Sequence, residues 1–271
     1  MPVPCRAVPR VRLDSLLAER GLFSSRTRAA AAVLAGDVRL GLAGSRASKP
    51  GQLVAADVAI AVEAPPPYVS RGGIKLANAL DGLGEPVRGR RCLDVGASTG
   101  GFTDCLLRRG AAHVVALDVA YGELDWRIRQ DARVTVLERT NARAVEAGAL
   151  PYRPDLVVID VSFISLRTVL PAVLGAAAAS WDCLAMVKPQ FEVGRARLGK
   201  GGVVRDAQLR REAVAGVAEF ARTALGASVL GFAPSGLPGP AGNRETFAWL
   251  ASAGRPGAVE DVPAALAGVD V

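Results

Sequence analysis

The sequence has few of the residues on which many enzyme classes depend. Its 271 residues include one histidine, His113, and four cysteines that form no CxxC pair. A Ser-His-Asp triad and a multi-histidine metal site are therefore all but excluded, and zinc-finger and thioredoxin-like patterns are missing. We predict no metal site. His113 lies in an apolar run, which favours a core or strand-end histidine.

Long apolar runs are also absent. Hydrophobic residues make up 50% of the chain, but much of that is alanine, and aromatic residues make up only 5%. The best candidate, 168–181, falls short of the roughly 18 apolar residues that a membrane-spanning helix needs. The N-terminal residues show no apolar core of a secretory signal. We therefore expect a cytoplasmic protein with free thiols and no membrane association.

Lysine is scarce, although the net charge is +7. The chain has 29 arginines and only four lysines, Lys49, Lys75, Lys188 and Lys200. Arginine keeps its proton under nearly all conditions, whereas a buried lysine can lose it and act as a base. The positions that retain lysine are therefore candidates for chemistry.

The first quarter of the chain differs from the rest. We predict a disordered arm at 1–10, a small α+β domain at 11–63 and a proline-rich linker at 64–69. Within that domain we expect helices at 12–21 and 26–35 and strands at 38–40 and 58–62. Nine basic and five acidic residues up to Pro67 give this part a net charge of +4. Such an excess suits a phosphate backbone.

Apolar strands and helices alternate after the linker. Strands are predicted at 91–95, 113–118, 134–137, 156–160, 183–187, 227–232 and 245–250, and helices at 70–80, 102–109, 164–179 and 209–225. This alternation is typical of a parallel sheet covered by helices on both faces. We predict an α/β domain at 70–271.

A glycine-rich loop joins the first of these strands to a helix, where backbone can approach a ligand closely. Position 98 is serine, not the second glycine of G-x-G-x-x-G, and no lysine follows Gly101 as in a P-loop. An ordinary glycine-rich turn is the alternative. The cofactor-binding candidates in this stretch are Asp94, Gly96, Ser98, Gly100, Gly101 and Phe102.

Polar residues at the next two strand ends extend this candidate site. The carboxylate of Asp118 can accept hydrogen bonds from both hydroxyls of a ribose. Asn141 either contacts an adenine or simply makes a turn. Together with Asp94, these groups suit a cofactor that carries an ammonium and a ribose diol but no phosphate. We infer S-adenosylmethionine.

Two of the four lysines fall near this loop, together with two carboxylates. Asp160 and Lys188 end successive predicted strands, so both are expected to face the cofactor crevice. Lys75 precedes the sheet, and Glu245 precedes the last strand. For each residue alone, an exposed charge at a strand end is the alternative.

Ribose methylation requires this set of groups. A 2′-hydroxyl must lose its proton as it attacks a methyl group, and a lysine beside a second ammonium in a cleft loses its own proton more readily. We assign Lys188 as the base and Lys75 as the neighbouring cation. Asp160 and Glu245 would orient the amines and the hydroxyl.

The chain resembles the TlyA (hemolysin A) family of rRNA 2′-O-methyltransferases, whose catalytic domain is similar to FtsJ/RrmJ. The matching strings, in chain order, are Arg12-Leu-Asp, Ser25-Arg-Thr-Arg-Ala29, Lys49-Pro-Gly, Tyr68-Val-Ser-Arg-Gly-Gly-Ile-Lys-Leu76, Leu93-Asp-Val-Gly-Ala-Ser-Thr-Gly-Gly-Phe-Thr-Asp104, Leu137-Glu-Arg-Thr-Asn-Ala-Arg143, Lys188-Pro-Gln-Phe-Glu192, Lys200-Gly-Gly-Val-Val-Arg-Asp206 and Gly239-Pro-Ala-Gly-Asn-Arg-Glu245. They span nearly the whole chain.

This resemblance implies a Rossmann-like methyltransferase sheet with helices on both faces, preceded by an RNA-binding domain of the ribosomal-protein-S-four type. It implies a catalytic tetrad at Lys75, Asp160, Lys188 and Glu245, and methylation of a cytidine ribose in ribosomal RNA. The chain departs from the family at the hairpin after Val38, at Pro66–Val69 and at Thr246. The first two departures concern RNA docking and interdomain coupling rather than the tetrad.

Ribosomal RNA is the expected partner; we predict no protein partner and a monomer. Arg71 either meets RNA phosphate or pairs with an acidic residue. Two other functions stay open: an RNA-binding assembly factor without turnover, and a membrane-active hemolysin. The candidate RNA contacts are Arg12, Arg26, Arg28, Arg39, Lys49 and Arg71.

Overall fold

The computed structural model describes residues 8–62 and 67–271, and the chain divides into two compact units, Met1–Pro66 and Pro67–Val271. Most of the arm predicted at 1–10 lies outside the described residues, but Arg10 begins the first strand. The division between the units falls inside the linker predicted at 64–69, of which 64–66 lie outside the described residues.

The first unit combines two short helices with small antiparallel sheets. Its elements are β1 (Arg10–Arg12), α1 (Leu13–Glu19), α2 (Arg26–Ala35), β2 (Val38–Leu40), β3 (Ser45–Arg46), β4 (Leu53–Ala55) and β5 (Ile60–Val62). β1 pairs with β4, and β2 lies between β3 and β5. The helices pack through Leu13, Leu17 and Val33 over Val38. This is the small α+β arrangement that the sequence predicted.

The first predicted helix is shorter than 12–21. Arg12 is extended and pairs in β1, so α1 begins one residue later and ends before Gly21. The second helix has the predicted bounds: the Ser25 hydroxyl accepts a hydrogen bond from the backbone amide of Arg28 at its start, and Gly36 ends it.

The second unit is an α/β domain. Its strands are β6 (Arg91–Val95), β7 (His113–Leu117), β8 (Val134–Leu137), β9 (Leu156–Ile159), β10 (Asp182–Val187), β11 (Ser228–Pro234) and β12 (Thr246–Ala251). Its helices are α3 (Arg71–Leu83), α4 (Gly101–Arg108), α5 (Trp126–Arg129), α6 (Leu166–Gly175), α7 (Pro189–Glu192), α8 (Ala207–Leu225) and α9 (Val262–Ala267). Four short 3-10 turns lie at Ala142–Ala144, Ala147–Ala149, Arg195–Arg197 and Lys200–Gly202.

The seven strands form one sheet in the order β11-β12-β10-β9-β6-β7-β8. The pairs from β10 to β8 are parallel, whereas β12 runs antiparallel to both of its neighbours. The predicted sheet is therefore confirmed except for this one reversed strand. β12 is reversed because the connection before it is a loop rather than a crossover helix.

Helices cover both faces of this sheet. Side chains alternate along the strands, so that Val157 faces one core cluster and Val158 the other. The first cluster includes residues of α6, α8 and α9, and the second includes residues of α3, α4 and α5. The helix predicted at 164–179 spans only Leu166–Gly175. Within the described part of the chain, no helix is long and apolar enough to cross a membrane.

His113 has an ordinary structural role. It begins β7 at the sheet end opposite the carboxyl ends of the parallel strands, and its Nε2 lies 2.9 Å from the Thr135 hydroxyl. Its ring meets the Tyr152 ring edge-on. The strand-end interpretation is confirmed.

Candidate active site

The carboxyl ends of the parallel strands meet at one edge of the sheet. The residues that directly follow β6, β7, β9 and β10 are Gly96, Asp118, Asp160 and Lys188. β12 runs the other way, with Thr246 opposite Val187, so Glu245 reaches the same edge from the start of its strand. The strand order reverses between β6 and β9, where open α/β sheets bind ligands.

Each of the two site lysines is paired with one carboxylate. Lys75 Nζ on α3 lies 2.5 Å from Glu245 Oε2, and both residues are buried. Lys188 Nζ lies 2.5 Å from Asp160 Oδ1 and donates a 2.9 Å hydrogen bond to the Ser162 hydroxyl. The four residues predicted to act together are thus brought together as two ion pairs.

These pairs line a cavity of about 410 Å³, which we call the tetrad cavity. Lys75, Asp160, Lys188 and Glu245 all contribute to its wall. The glycine-rich loop after β6 also lines it, through 96–99 and 101–102. A substrate group in this cavity would therefore meet both the ion pairs and the loop.

A second cavity has a volume of about 680 Å³. We call it the donor cavity because residues predicted to bind the methyl donor line it. It is lined by Asp118, Asn141 and the segment 160–164 that follows β9. Gly96, Ser98, Asp160 and Ser162 line both cavities. The two cavities are therefore adjacent, as transfer of a group between two bound molecules requires.

Close backbone packing shapes the loop between the cavities. Gly96 has φ +85°, and a Cβ there would overlap the carbonyl oxygen of Asp160. A Cβ on Gly101 would overlap the Ser70 hydroxyl and crowd the backbone of Gly73. Both positions need glycine because neighbouring chain segments approach too closely for a side chain.

Asp118 holds the same loop in place. Its two oxygens accept hydrogen bonds from the backbone amides of Ser98 at 2.7 Å and Ala120 at 2.8 Å. Ser98 has φ +47°, a left-handed conformation that is rare outside glycine. The carboxylate thus stabilises an unusual loop conformation while still facing the donor cavity.

Asp94 lies behind the loop rather than in a cavity wall. It is fully buried, and its Oδ2 accepts a 2.6 Å hydrogen bond from the Thr103 hydroxyl, while Oδ1 has no hydrogen-bond partner among the described residues. Burial is the main reason that the pKa of Asp94 rises to about 7. The Thr103 hydrogen bonds oppose this rise, and the negative charges of Asp160 and Asp118 add to it.

The remaining loop candidates differ in position. Phe102 lines the tetrad cavity and packs against Phe247, with ring centroids 5.8 Å apart. Gly100 precedes α4 and is buried against Leu124. Asn141 makes the turn that was one of its two predicted roles: its side chain accepts a hydrogen bond from the Arg143 amide at a 3-10 turn. It also lines the donor cavity.

The basic candidates of the first unit fall into two groups. Arg12 and Arg26 both pair with the buried Asp14, at 2.7 and 3.3 Å. The Arg12 hydrogen bonds hold the pKa of Asp14 well below its usual range. Arg28 and Lys49 are exposed, and neither forms an ion pair among the described residues.

Two further basic candidates contact backbone carbonyls. Arg39 lies in β2 and donates a hydrogen bond to the Gly44 carbonyl at 3.4 Å. Arg71 begins α3, lines the tetrad cavity, and donates a 2.7 Å hydrogen bond to the carbonyl of Pro238. Its partner is therefore a carbonyl rather than the acidic side chain that the sequence left as an alternative.

The sequence did not single out three residues of this region. Thr103 satisfies Asp94, and Ser162 binds Lys188. Phe163 has φ +63°, is 92% exposed and lies in the donor-cavity wall, 5.3 Å from the Phe191 ring. The position of Ser162, two residues after Asp160 in an apolar context, is the one sequence signal that could have indicated its role.

Comparison with known proteins identifies the family. The family model described as FtsJ-like methyltransferase matches residues 68–252. A Mycobacterium tuberculosis protein named 16S/23S rRNA (cytidine-2′-O)-methyltransferase TlyA is 53% identical over 243 residues, which cover 89% of this chain and 90% of the relative. Hemolysin A of Brachyspira hyodysenteriae is 37% identical over 74% of this chain and 84% of its own.

A solved structure agrees with this result. A Streptococcus thermophilus protein that carries the name hemolysin superposes with a TM-score of 0.72 at 37% identity, over 96% of both chains. Membership of this methyltransferase family implies S-adenosylmethionine as the methyl donor, and the site fits that group. The backbone of the loop lines both cavities, and the carboxylates of Asp118 and Asp160 in the donor-cavity wall suit a cationic donor.

Substituting Gly96 tests the close packing of the donor loop. Gly96→Ala places a methyl group against the Asp160 carbonyl in a backbone conformation that alanine avoids. We expect the unfolding free energy to fall by about 2 kcal/mol or more and donor binding to be lost. Urea unfolding and isothermal titration calorimetry measure the two effects. Gly175→Ala, at an open position with ordinary backbone angles, is the control; equal effects in both variants would contradict this account.

Asp94 should make the stability of the unliganded protein fall with rising pH. Its raised pKa means that the fold binds the proton more tightly than the unfolded chain does, so its stabilisation is present below pH 4 and is lost as pH rises through about 7. The free energy of unfolding of Asp94→Asn, compared with that of the wild type, should therefore increase by up to a few kcal/mol as pH rises from 5 to 8. Urea unfolding at both pH values tests this. Glu260→Gln, an exposed acid, should show no such change, and a pH-independent effect of Asp94→Asn would refute the assignment.

Proposed function

The chain belongs to the FtsJ-like methyltransferase family, and from this premise we propose that it methylates a ribose 2′-hydroxyl of cytidine in ribosomal RNA. The observation that carries the proposal is the pairing of Lys188 with Asp160 and of Lys75 with Glu245, beside a separate donor cavity. The names of the relatives support the substrate class. We place the reaction in the cytoplasm, where ribosomes assemble.

Lys188 is the proposed base. It projects from the carboxyl end of β10 into the tetrad cavity, next to the segment that separates this cavity from the donor cavity. Its Nζ forms an ion pair with Asp160 and donates a hydrogen bond to the Ser162 hydroxyl. A hydroxyl that enters the tetrad cavity can therefore meet an amine of defined orientation.

The reaction balances with the groups that line the site. S-Adenosylmethionine supplies a methyl group on a positively charged sulfur that leaves as a neutral thioether. The ribose oxygen forms the new carbon–oxygen bond as the carbon–sulfur bond breaks, and Lys188 Nζ takes the hydroxyl proton. No acid is needed for the leaving group because the sulfur departs uncharged.

Lys75 and Glu245 form the buried half of the tetrad. Lys75 is only 7% exposed and Glu245 only 2%, so their ion pair has little contact with water. A buried charge that loses its partner is strongly destabilising. We propose that Glu245 holds the Lys75 ammonium beside the hydroxyl, where its positive charge favours the developing oxyanion.

The first unit is the proposed RNA-binding domain of the ribosomal-protein-S-four type. Its small antiparallel sheets, its two helices and its excess of positive charge support this assignment. Arg28 and Lys49 offer exposed cations, whereas Arg12 and Arg26 are partly neutralised by Asp14. Arg39 and Arg71 complete the proposed RNA contacts.

Removing the proposed base should abolish methyl transfer without preventing donor binding. Lys188→Met should lower kcat by about 100-fold or more, because general-base catalysis typically contributes 10²–10⁴-fold. Transfer of labelled methyl to unmodified ribosomal subunits measures this, and calorimetry measures donor affinity.

Wild-type protein that binds RNA tightly but methylates no subunit would instead favour an assembly factor.

Activity retained in Lys188→Met would exclude this residue as the base but leave the enzyme class intact. Arg222→Met provides a matched control. It removes a long cation from α8, where Arg222 pairs with the partly exposed Glu219, and should leave the rate unchanged.

Exposed cations of the first unit should set the salt dependence of RNA binding. Each phosphate contact contributes roughly 0.7–0.9 to the slope of log K against log salt concentration. Arg28→Ala combined with Lys49→Ala should therefore reduce this slope by about 1.5 and weaken binding across RNA sequences. Filter binding at several salt concentrations measures both quantities. An unchanged slope would show that these side chains do not face the RNA.

A further inference from the structure

One side chain outside the tetrad, Ser162, forms a hydrogen bond with Lys188. The Ser162 hydroxyl accepts a 2.9 Å hydrogen bond from Lys188 Nζ. Asp160 Oδ1 lies 2.5 Å from the same nitrogen. Both residues come from the segment directly after β9, and both line the tetrad and donor cavities.

These contacts affect how the lone pair of the Lys188 amine is oriented. A neutral lysine that acts as a base carries two N–H groups and one lone pair in tetrahedral arrangement. The Ser162 hydroxyl accepts a hydrogen bond from one N–H, whereas Asp160 Oδ1 contacts the nitrogen as an ion pair without hydrogen-bond geometry. This hydrogen bond restricts rotation of the amine, and with it the direction of the lone pair. With Asp160 alone, the amine could rotate about its last carbon–nitrogen bond, and its lone pair would have no fixed direction.

The segment that carries Ser162 is itself held in place. The Asp160 carbonyl packs against the backbone of Gly96, and Phe163 adopts φ +63°. A left-handed conformation at a bulky residue persists only where the surroundings impose it. The backbone on both sides of Ser162 is therefore constrained, and its exposed side chain extends from there to Lys188.

We propose that Ser162 is a positioning residue for methyl transfer: together with Asp160 it fixes the amine of Lys188 so that its lone pair faces the ribose hydroxyl. This role rests on the proposed function. The proton still moves from the 2′-hydroxyl to Lys188 Nζ, and Ser162 neither gains nor loses one. Its contribution is orientation, so it acts on the rate of the chemical step and not on binding.

Removing the hydroxyl tests the proposal. Ser162→Ala should lower kcat by about 10- to 100-fold, because small errors in the placement of reacting groups cost up to about 100-fold. The KM for RNA and the calorimetric Kd for S-adenosylmethionine should change by less than about twofold. Ser162→Thr keeps the hydroxyl and should restore kcat to within a few-fold of the wild type. Thr223→Ala, which removes an exposed hydroxyl from α8, is the control and should be unaffected.

The outcomes separate the two proposals. If the wild type transfers no methyl group to any ribosomal RNA, the proposed function fails. If the wild type is active and Ser162→Ala is equally fast, the positioning role is overturned. It is also overturned if Ser162→Ala weakens donor or RNA binding as much as it lowers kcat, or if Ser162→Thr is as slow as Ser162→Ala.

Discussion

The pairing of two lysines with two carboxylates at one sheet edge is the constraint on which the site depends. Lys188 and Asp160 reach this edge from neighbouring parallel strands. Glu245 reaches it only because β12 runs antiparallel, and it then meets Lys75 from a helix on one face of the sheet. A parallel last strand would place Glu245 at the opposite edge and leave the buried Lys75 without its partner.

Three acidic side chains surround the donor loop. Asp94, Asp118 and Asp160 follow or end three adjacent strands, and Asp94 forms no ion pair among the described residues. Burying a carboxylate without a cation is costly, which is why its pKa rises. A donor that carries an ammonium and a positively charged sulfur offsets this cost. The electrostatics therefore favour the cationic cofactor over a phosphate-bearing nucleotide.

The chain uses positive charge differently in its two units. In the first unit, Asp14 gathers Arg12 and Arg26, while Arg28 and Lys49 remain exposed. In the second unit, both site lysines are paired and largely enclosed. A phosphate backbone needs accessible cations, whereas proton transfer needs an amine whose surroundings are controlled. Arginine suits the first task, and lysine alone can perform the second.

Periodicity and residue type determined much of this protein from sequence alone. Apolar strands alternating with helices gave the α/β domain, and the scarcity of lysine pointed to Lys75 and Lys188. Strand ends also placed Asp160 correctly, because parallel strands end at a common edge. The direction of β12, the pairing of each lysine with its own carboxylate, and the contacts of Thr103 and Ser162 were decided only by the tertiary structure. These features depend on which distant segments pack together, and no local pattern of hydrophobicity encodes that information.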